Sequence, residues 1–180
     1  MDRVAFDEMI ATQDTHWWFR GKRRIVACMI KWLALPYDSR ILEIGCGTGG
    51  NIETLSRYGR VWALELDDYA LDYAARTNSG ATIEKGWLPD GLSAVSGREF
   101  DVICLLDVLE HVKDDEESLR RIGDLCVGKT KVLITTPAYQ WLYSRHDKNL
   151  GHQRRYSRKD LCGKLTRNGY DVIYSGYLNV

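Results

Sequence analysis

Glycines and a glutamate at fixed spacing form the chemically most informative stretch of this sequence. The run ILEI at 41–44 is apolar apart from Glu43, and it leads directly into GCGTG at 45–49. A short apolar run bounded in this way predicts a buried parallel strand. Three glycines in five residues predict a tight turn in which backbone N–H groups approach a ligand. Residues 51–58 have helical character, so the turn would open a helix with a positive N-terminus, as nucleotide-binding sites require.

Glu65 supplies the second half of such a site. It lies 20 residues after Gly45, at the end of the next apolar run at 61–64. A carboxylate at this spacing accepts hydrogen bonds from ribose hydroxyls in βαβ nucleotide-binding units. We therefore expect Glu65, with Leu66 beside it, to border a ribose.

Glu43 separates two kinds of nucleotide. The spacing Gly45-x-Gly47-x-x-Gly50 fits the dinucleotide pattern, but a match of that kind alone is weak. Glu43 lies two positions before the first glycine, at the carboxyl end of the predicted strand. A carboxylate there repels a pyrophosphate and attracts a ligand that carries an ammonium group. The chain also contains no Tyr-x-x-x-Lys pair, which further disfavours an NAD(P)-binding oxidoreductase.

The composition narrows the class of protein. Lys plus Arg and Asp plus Glu each number 25 among the 180 residues, so the chain has no net positive charge that would favour binding to nucleic acid. No apolar run approaches the roughly 18 residues of a membrane span, and the acidic N-terminus does not resemble a signal peptide. The five cysteines form no C-x-x-C pair, which fits reduced thiols. We expect one cytoplasmic domain that acts on a small molecule.

Three stretches resemble class I S-adenosylmethionine (SAM)-dependent methyltransferases. The run LEIGCGTG at 42–49 resembles motif I, and residues 100–112 resemble motif IV in its form F-D-x-I…L-E-H-V. Residues 16–20, HWWFR, resemble the H-x-W-F-R opening of one bacterial branch of these enzymes. SAM has an amino acid end and a sulfonium but no phosphate, in agreement with the charge of Glu43.

The resemblance implies a fold, a cofactor and an activity. The fold would be α/β, with a doubly wound, mostly parallel sheet, and the activity would be methyl transfer from SAM to a small-molecule or lipid-linked acceptor. The glycine turn would surround the amino acid end, Trp87 and Leu88 would border adenine, and Asp107 would border the methionine chain. The cofactor residues so implied are Glu43, Gly45, Cys46, Gly47, Gly49, Glu65, Leu66, Trp87, Leu88, Leu106 and Asp107.

Two segments must position this site. Residues 1–40 are predicted to be a helical segment, with a helix over 25–35, that either covers the cofactor as a lid or packs on the sheet. Residues 41–180 form the predicted α/β domain, whose sixth strand would be 170–177. The family's seventh strand has no counterpart, so we expect the last strand to be lacking. Either the sixth strand pairs differently, for example with another chain, or the sequence is C-terminally truncated, which we favour.

The acceptor side is less well defined. His111, His146 and His152 are candidates for a general base, which is needed only for a hydroxyl or a protonated amine. A basic cluster either holds an anionic group of the acceptor or forms a solvated face; its members are Arg145, Arg154, Arg155, Arg158 and Lys159.

A metal site is a further possibility on this side. The i, i+3, i+4 spacing of Asp107, Glu110 and His111 would place them on one face of a helix. With His146 or His152 they could bind Mg or Mn, in an arrangement similar to the E-x-x-E-H site of small-RNA 2′-O-methyltransferases. Because L-E-H-V is also common in methyltransferases without a metal, we assign no metal ion. A non-catalytic nucleotide-binding or scaffold protein remains the other alternative.

Overall fold

A five-stranded parallel sheet forms the centre of the protein in a computed structural model that describes residues 3–178. Its strands are β1 (Ser39–Ile44), β2 (Gly59–Glu65), β3 (Thr82–Lys85), β4 (Val102–Leu106) and β5 (Lys131–Thr135). Their spatial order is β3-β2-β1-β4-β5, and every neighbouring pair is parallel. Because the order reverses between β1 and β4, a ligand crevice is expected outside the carboxyl ends of these two strands. The predicted doubly wound α/β fold is confirmed.

Helices cover both faces of this sheet. They are α1 (Arg3–Thr12), α2 (Trp17–Trp32), α3 (Ile52–Ser56), α4 (Asp68–Thr77), α5 (Asp115–Leu125), α6 (Arg145–Leu150) and α7 (Arg158–Arg167). Asp67 caps α4 and Ser157 caps α7, as their side chains predict. None of the helices described is long and apolar enough to cross a membrane.

The alternation of side chains along β1 decides which way Glu43 points. Ile41 packs in one core cluster with Val26 and Ile30 of α2, whereas Leu42 and Ile44 belong to the cluster on the opposite face. Since successive side chains of a strand point to opposite faces, Glu43 shares the face of Ile41 and lies under α2. This places a carboxylate between the sheet and the N-terminal helices.

Two predicted boundaries near the N-terminus were wrong. Helix α2 begins at Trp17 rather than at residue 25, because His16 caps it by accepting a hydrogen bond from the Trp18 N–H at 3.3 Å. The three aromatic residues at its start need no common buried face, since Trp17 and Trp18 remain exposed. Strand β1 begins at Ser39, which pairs with Gly59, so the sheet already includes two residues of the predicted N-terminal segment.

The predicted sixth strand was also wrong. Residues 170–178 form no strand, and Val172, Ile173 and Tyr174 are exposed. Tyr174 packs instead against Trp32 of α2, with 5.7 Å between the ring centroids. A strand requires a neighbouring backbone as well as β-forming residues, and β5 pairs only with β4 within residues 3–178.

Candidate cofactor site

A cavity of about 1970 Å³ opens at the carboxyl edge of the sheet. Ligand pockets commonly measure about 300–1,000 Å³, so there is room for more than one small molecule. All of the predicted cofactor residues except Glu43 and Gly49 line this cavity, and so do His111, His146 and His152. The topology therefore brings the candidate residues of both the cofactor side and the acceptor side to one place.

The glycine turn after β1 requires its glycines. Gly45, Gly47 and Gly49 have φ values of 74°, 56° and 81°, in the left-handed region that other residues rarely adopt. A Cβ atom on Gly45 would also lie 2.7 Å from Cγ2 of Val108. The turn after β1 is thus packed directly against the turn after β4.

Glu65 connects the glycine turn to the next βα turn. Its Oε2 accepts a hydrogen bond from the Gly47 N–H at 2.7 Å, and its Oε1 accepts one from the Asp67 N–H at 2.9 Å. A carboxylate offers about four lone-pair sites, so both oxygens can still accept bonds from ribose hydroxyls. Sequence patterns predicted the ribose role but not this bridging role.

Glu43 is a buried carboxylate with spare hydrogen-bonding capacity. It is 1% exposed, and its Oε1 accepts a hydrogen bond from Nδ2 of Asn51 at 2.9 Å. Its Oε2 has no partner among the described residues. Burial raises the pKa of Glu43 to about 7, while Asn51 and the charge of Lys22 oppose that rise. A buried oxygen without a partner is costly, and a cationic ligand would satisfy it.

Asp107 ends β4 beside the glycine turn. It adopts a left-handed conformation with φ 61°, which aspartate tolerates better than most residues. Its N–H donates to the Thr135 carbonyl at 3.0 Å, and its Oδ1 accepts from Thr135 Oγ1 at 2.9 Å. Its other oxygen forms an ion pair with Lys22 of α2. Lys22 was missed at the sequence level because it is one of several basic residues in RGKRR, with no spacing that distinguishes it.

The N-terminal segment contributes a wall of the cavity. Gln13, between α1 and α2, is buried and accepts a hydrogen bond from Thr48 of the glycine turn at 2.7 Å. Trp17, Trp18 and Phe19 line the same cavity. The segment is therefore in contact with the predicted cofactor turn, and its function as a lid stays a prediction.

Two of the residues predicted to border the nucleoside are more exposed than the glycine turn. Trp87 is 41% exposed and Leu66 is 57% exposed, and both face the cavity. Leu88 is mostly buried and packs in the core cluster that includes Leu64. A half-exposed indole above a cavity is suited to stacking on a flat ring.

The predicted common face of Asp107, Glu110 and His111 was wrong. Asp107 lies outside any helix, and only Leu109–His111 form a short 3-10 turn. One ligand atom from each of Glu110, His111 and His152 lies within 4.8 Å of the others. Both carboxylate oxygens of Glu110 are buried without a partner within the part of the chain described, and burial raises its pKa to about 8. Such an oxygen and nitrogen set could hold a transition metal, although Asp107 and His146 are not part of it.

His152 is held by a buried carboxylate. Its Nδ1 lies 2.9 Å from Oδ1 of Asp147, which is fully buried and also pairs with Arg155 at 2.7 and 2.9 Å. The Arg155 guanidinium holds the pKa of Asp147 well below its usual range. A carboxylate fixed in this way favours the imidazole tautomer with the proton on Nδ1, which leaves Nε2 as an acceptor.

The basic cluster is partly structural. Arg155 is engaged by Asp147, and Arg154 pairs with Asp115 at 3.0 Å. Arg145, Arg158 and Lys159 are exposed. The structure thus favours a structural role for two of the five basic residues.

Comparison with known proteins identifies the family. The methyltransferase domain family matches residues 15–175, nearly the whole chain. The chain belongs to this family. This membership supports the resemblance to methyltransferases that the sequence motifs indicated. The finer assignment to the bacterial branch with the H-x-W-F-R opening stays a prediction.

Individual relatives of this methyltransferase domain match over part of their length. A ubiquinone biosynthesis O-methyltransferase of Caulobacter sp. (strain K31) is 32% identical over 106 residues, which are 56% of this chain and 42% of that protein. The SAM-dependent Diels–Alderase iccD of Talaromyces variabilis is 31% identical over 107 residues, 56% of this chain and 37% of that protein. The chain therefore covers less than half of the length of each of these curated relatives.

A solved structure supports the fold. A SAM-dependent methyltransferase from Clostridium acetobutylicum superposes with a TM-score of 0.71, covering 91% of this chain and 87% of that one. Their sequences are 14% identical, so this likeness concerns the fold alone.

The variant Glu43→Gln tests the buried carboxylate through the pH dependence of stability. The pKa of Glu43 rises from 4.5 to about 7 on folding, so the folded state binds this proton more tightly and loses stability as pH rises through that window. Glutamine does not titrate. The unfolding free energy of the variant relative to the wild type should therefore increase between pH 4.5 and 7, by at most about 3 kcal/mol, and then level off.

Denaturant unfolding of both proteins across this pH range measures that difference. Other titrating groups, including Glu110, are common to the two proteins and cancel. A difference that stays constant with pH would contradict the raised pKa of Glu43.

Proposed function

We propose that this chain binds SAM in the cavity at the carboxyl ends of β1, β2 and β4 and transfers its methyl group to a small-molecule or lipid-linked acceptor. The observation that carries this proposal is the unpartnered Oε2 of Glu43, buried beside the glycine turn. A pyrophosphate cannot donate a hydrogen bond to this oxygen and is repelled by its ionised form, whereas the ammonium group of SAM's amino acid end can donate one. The alternative of an NAD(P)-binding oxidoreductase is disfavoured for this reason.

Each cofactor residue then has a role in binding or orientation. The glycine turn, from Gly45 to Gly49, surrounds the amino acid end of the cofactor. Glu43, which is itself held by the hydrogen bond from Asn51, orients that amino acid end. Glu65 takes the ribose hydroxyls, Trp87 stacks on adenine, and the remaining predicted residues border the cofactor, namely Leu66, Leu88, Leu106 and Asp107. Bound SAM supplies an electrophilic methyl group on its sulfonium. The protein's contribution is alignment, since holding two reactants in line can lower a barrier by roughly 7–11 kcal/mol.

The acceptor is proposed to be a hydroxyl compound of amphipathic character. The cavity is large enough for a second molecule, and Trp17, Trp18 and Tyr139 give it aromatic walls. Arg158 is exposed, and its charge opposes the raised pKa of Tyr139, which lines the cavity, so a cation lies near the acceptor side of the cavity. The relative from Caulobacter is named as an O-methyltransferase, which supports oxygen as the methylated atom.

His152 is the best-supported general base of the three candidates. Its imidazole is oriented by Asp147 in the way that a carboxylate orients the base of a hydrolase triad. His146 is exposed on α6, and within residues 3–178 no carboxylate forms a hydrogen bond with its imidazole. His111 is desolvated, and burial next to His152 lowers its pKa to about 4, so it is neutral at physiological pH but a weak base.

Methyl transfer to an acceptor panel tests the proposed activity. SAM with a labelled methyl group is incubated with the protein and with hydroxylated aromatic compounds in matched anionic and uncharged forms. We expect label in the product of at least one anionic acceptor. Activity confined to uncharged acceptors would contradict the anionic part of the proposal, and binding of SAM without transfer to any acceptor would favour a non-catalytic domain.

The variant His152→Ala tests the proposed base, with His146→Ala as the matched control in the same cavity. Loss of a general base should lower turnover of the best acceptor by about 10²–10⁴-fold, while the affinity for S-adenosylhomocysteine (SAH) stays within about twofold. The control should retain most of its activity. Equal losses in the two variants would contradict the assignment, and loss of wild-type activity on treatment with EDTA would instead place His152 in a metal site.

A further inference from the structure

Lys22 places an ammonium group inside the cofactor cavity. The residue lies in the second turn of α2, and its Nζ pairs with Oδ2 of Asp107. The side chain is only 19% exposed. The helix itself is anchored, because Val26 and Ile30 are buried in the core. The ammonium group, in contrast, is carried on a flexible four-carbon stem and can change partner without movement of the helix.

The ammonium group of Lys22 lies at an edge of the sheet that also carries the carboxyl groups of Asp107, Glu43 and Glu110. Lys22 pairs with Asp107, and its charge opposes the raised pKa values of Glu43 and Glu110. Glu43 and Glu110 each have a buried oxygen without a partner in the described part of the chain. Lys22 therefore compensates the charge of Asp107, which lines the cavity together with it.

This region is the place that the amino acid end of the cofactor would take. A Cβ atom on Gly45 would lie 2.7 Å from Val108, so the turn that contains Asp107 is in contact with the glycine turn. Glu43 lies on the same side of the sheet, under α2, and its free Oε2 is the proposed ligand of the cofactor's ammonium group. Two ammonium groups would then have to share one set of carboxylates.

We propose that Lys22 is a displaceable counter-ion of the cofactor site, whose ammonium group occupies the place of the cofactor's own cation and is released when the cofactor binds. The inference rests on the proposed function, because that function sets the position of the amino acid end. It makes Lys22 a residue that determines selectivity among ligands of this cavity.

The selectivity follows from competition. If the pair with Asp107 must open before a ligand with an ammonium group binds, the apparent affinity falls in proportion to the fraction of molecules in which the pair is open. A pair that is open in one molecule of ten lowers that affinity about tenfold. A ligand without an amino acid end leaves the pair closed and does not bear this loss.

Binding of two ligands to three proteins tests this inference. SAH carries the amino acid end, whereas 5′-methylthioadenosine has the same nucleoside and thioether without it. The proteins are the wild type, Lys22→Met and the control Lys31→Met, which removes an exposed lysine from the same helix. Calorimetric titration gives the affinities, and thermal unfolding checks that each variant is folded. Lys22→Gln serves as a second neutral variant if Lys22→Met is unstable.

We expect Lys22→Met to bind SAH about tenfold more tightly than the wild type, with the affinity for 5′-methylthioadenosine changed by less than about twofold. The control should match the wild type for both ligands. Unchanged or weaker binding of SAH by Lys22→Met would overturn the inference, because Lys22 would then be neutral or a direct ligand of the cofactor. Equal tightening for both ligands would overturn it as well, since the effect would not depend on the cation. If no protein binds either ligand, the proposed function fails first and this inference fails with it.

Discussion

The concentration of carboxylates at the carboxyl edge of β1, β2 and β4 is the constraint on which the rest of the site depends. A parallel sheet brings the ends of all its strands to one edge, and here that edge carries Glu43, Glu65 and Asp107. Burial of a charged group is costly unless it is paired. The protein partners Glu65 with two backbone N–H groups and Asp107 with Lys22, but it leaves one oxygen of Glu43 unpaired. We propose that this remaining oxygen selects a ligand with an ammonium group.

The turns around these carboxylates are held together by packing and hydrogen bonds that do not involve a ligand. Gly45 packs against Val108, and Thr48 donates a hydrogen bond to Gln13. Glu65 accepts hydrogen bonds from the turn after β1 and from the turn after β2. A site assembled in this way spends little binding free energy on ordering itself. For a reaction that depends on aligning a nucleophile with a methyl group, this order is the main contribution that the backbone can make.

Local sequence patterns predicted the cofactor half of the site better than the acceptor half. The glycine turn and the caps at Asp67 and Ser157 depend on residues close in sequence, and the structure has them where they were predicted. The roles of Lys22 and Asp147 depend on partners 85 and 5 to 8 residues away, and no spacing rule identifies such pairs. The predicted helical face at Asp107 failed because this residue has a left-handed conformation, which periodicity cannot reveal. The prediction of a sixth strand failed because a strand needs a neighbouring strand to pair with, which the sequence of residues 170–177 alone does not reveal.

The central claim is that the glycine turn and its carboxylates select a nucleoside that carries an amino acid end, with its ammonium group, over one that carries a pyrophosphate. Calorimetric titration of this chain with SAH and, separately, with NADH tests that claim most directly. The account predicts saturable binding of SAH with one site per chain and no binding of NADH. Binding of NADH without binding of SAH would contradict the role assigned to Glu43 and would indicate that the site binds dinucleotides.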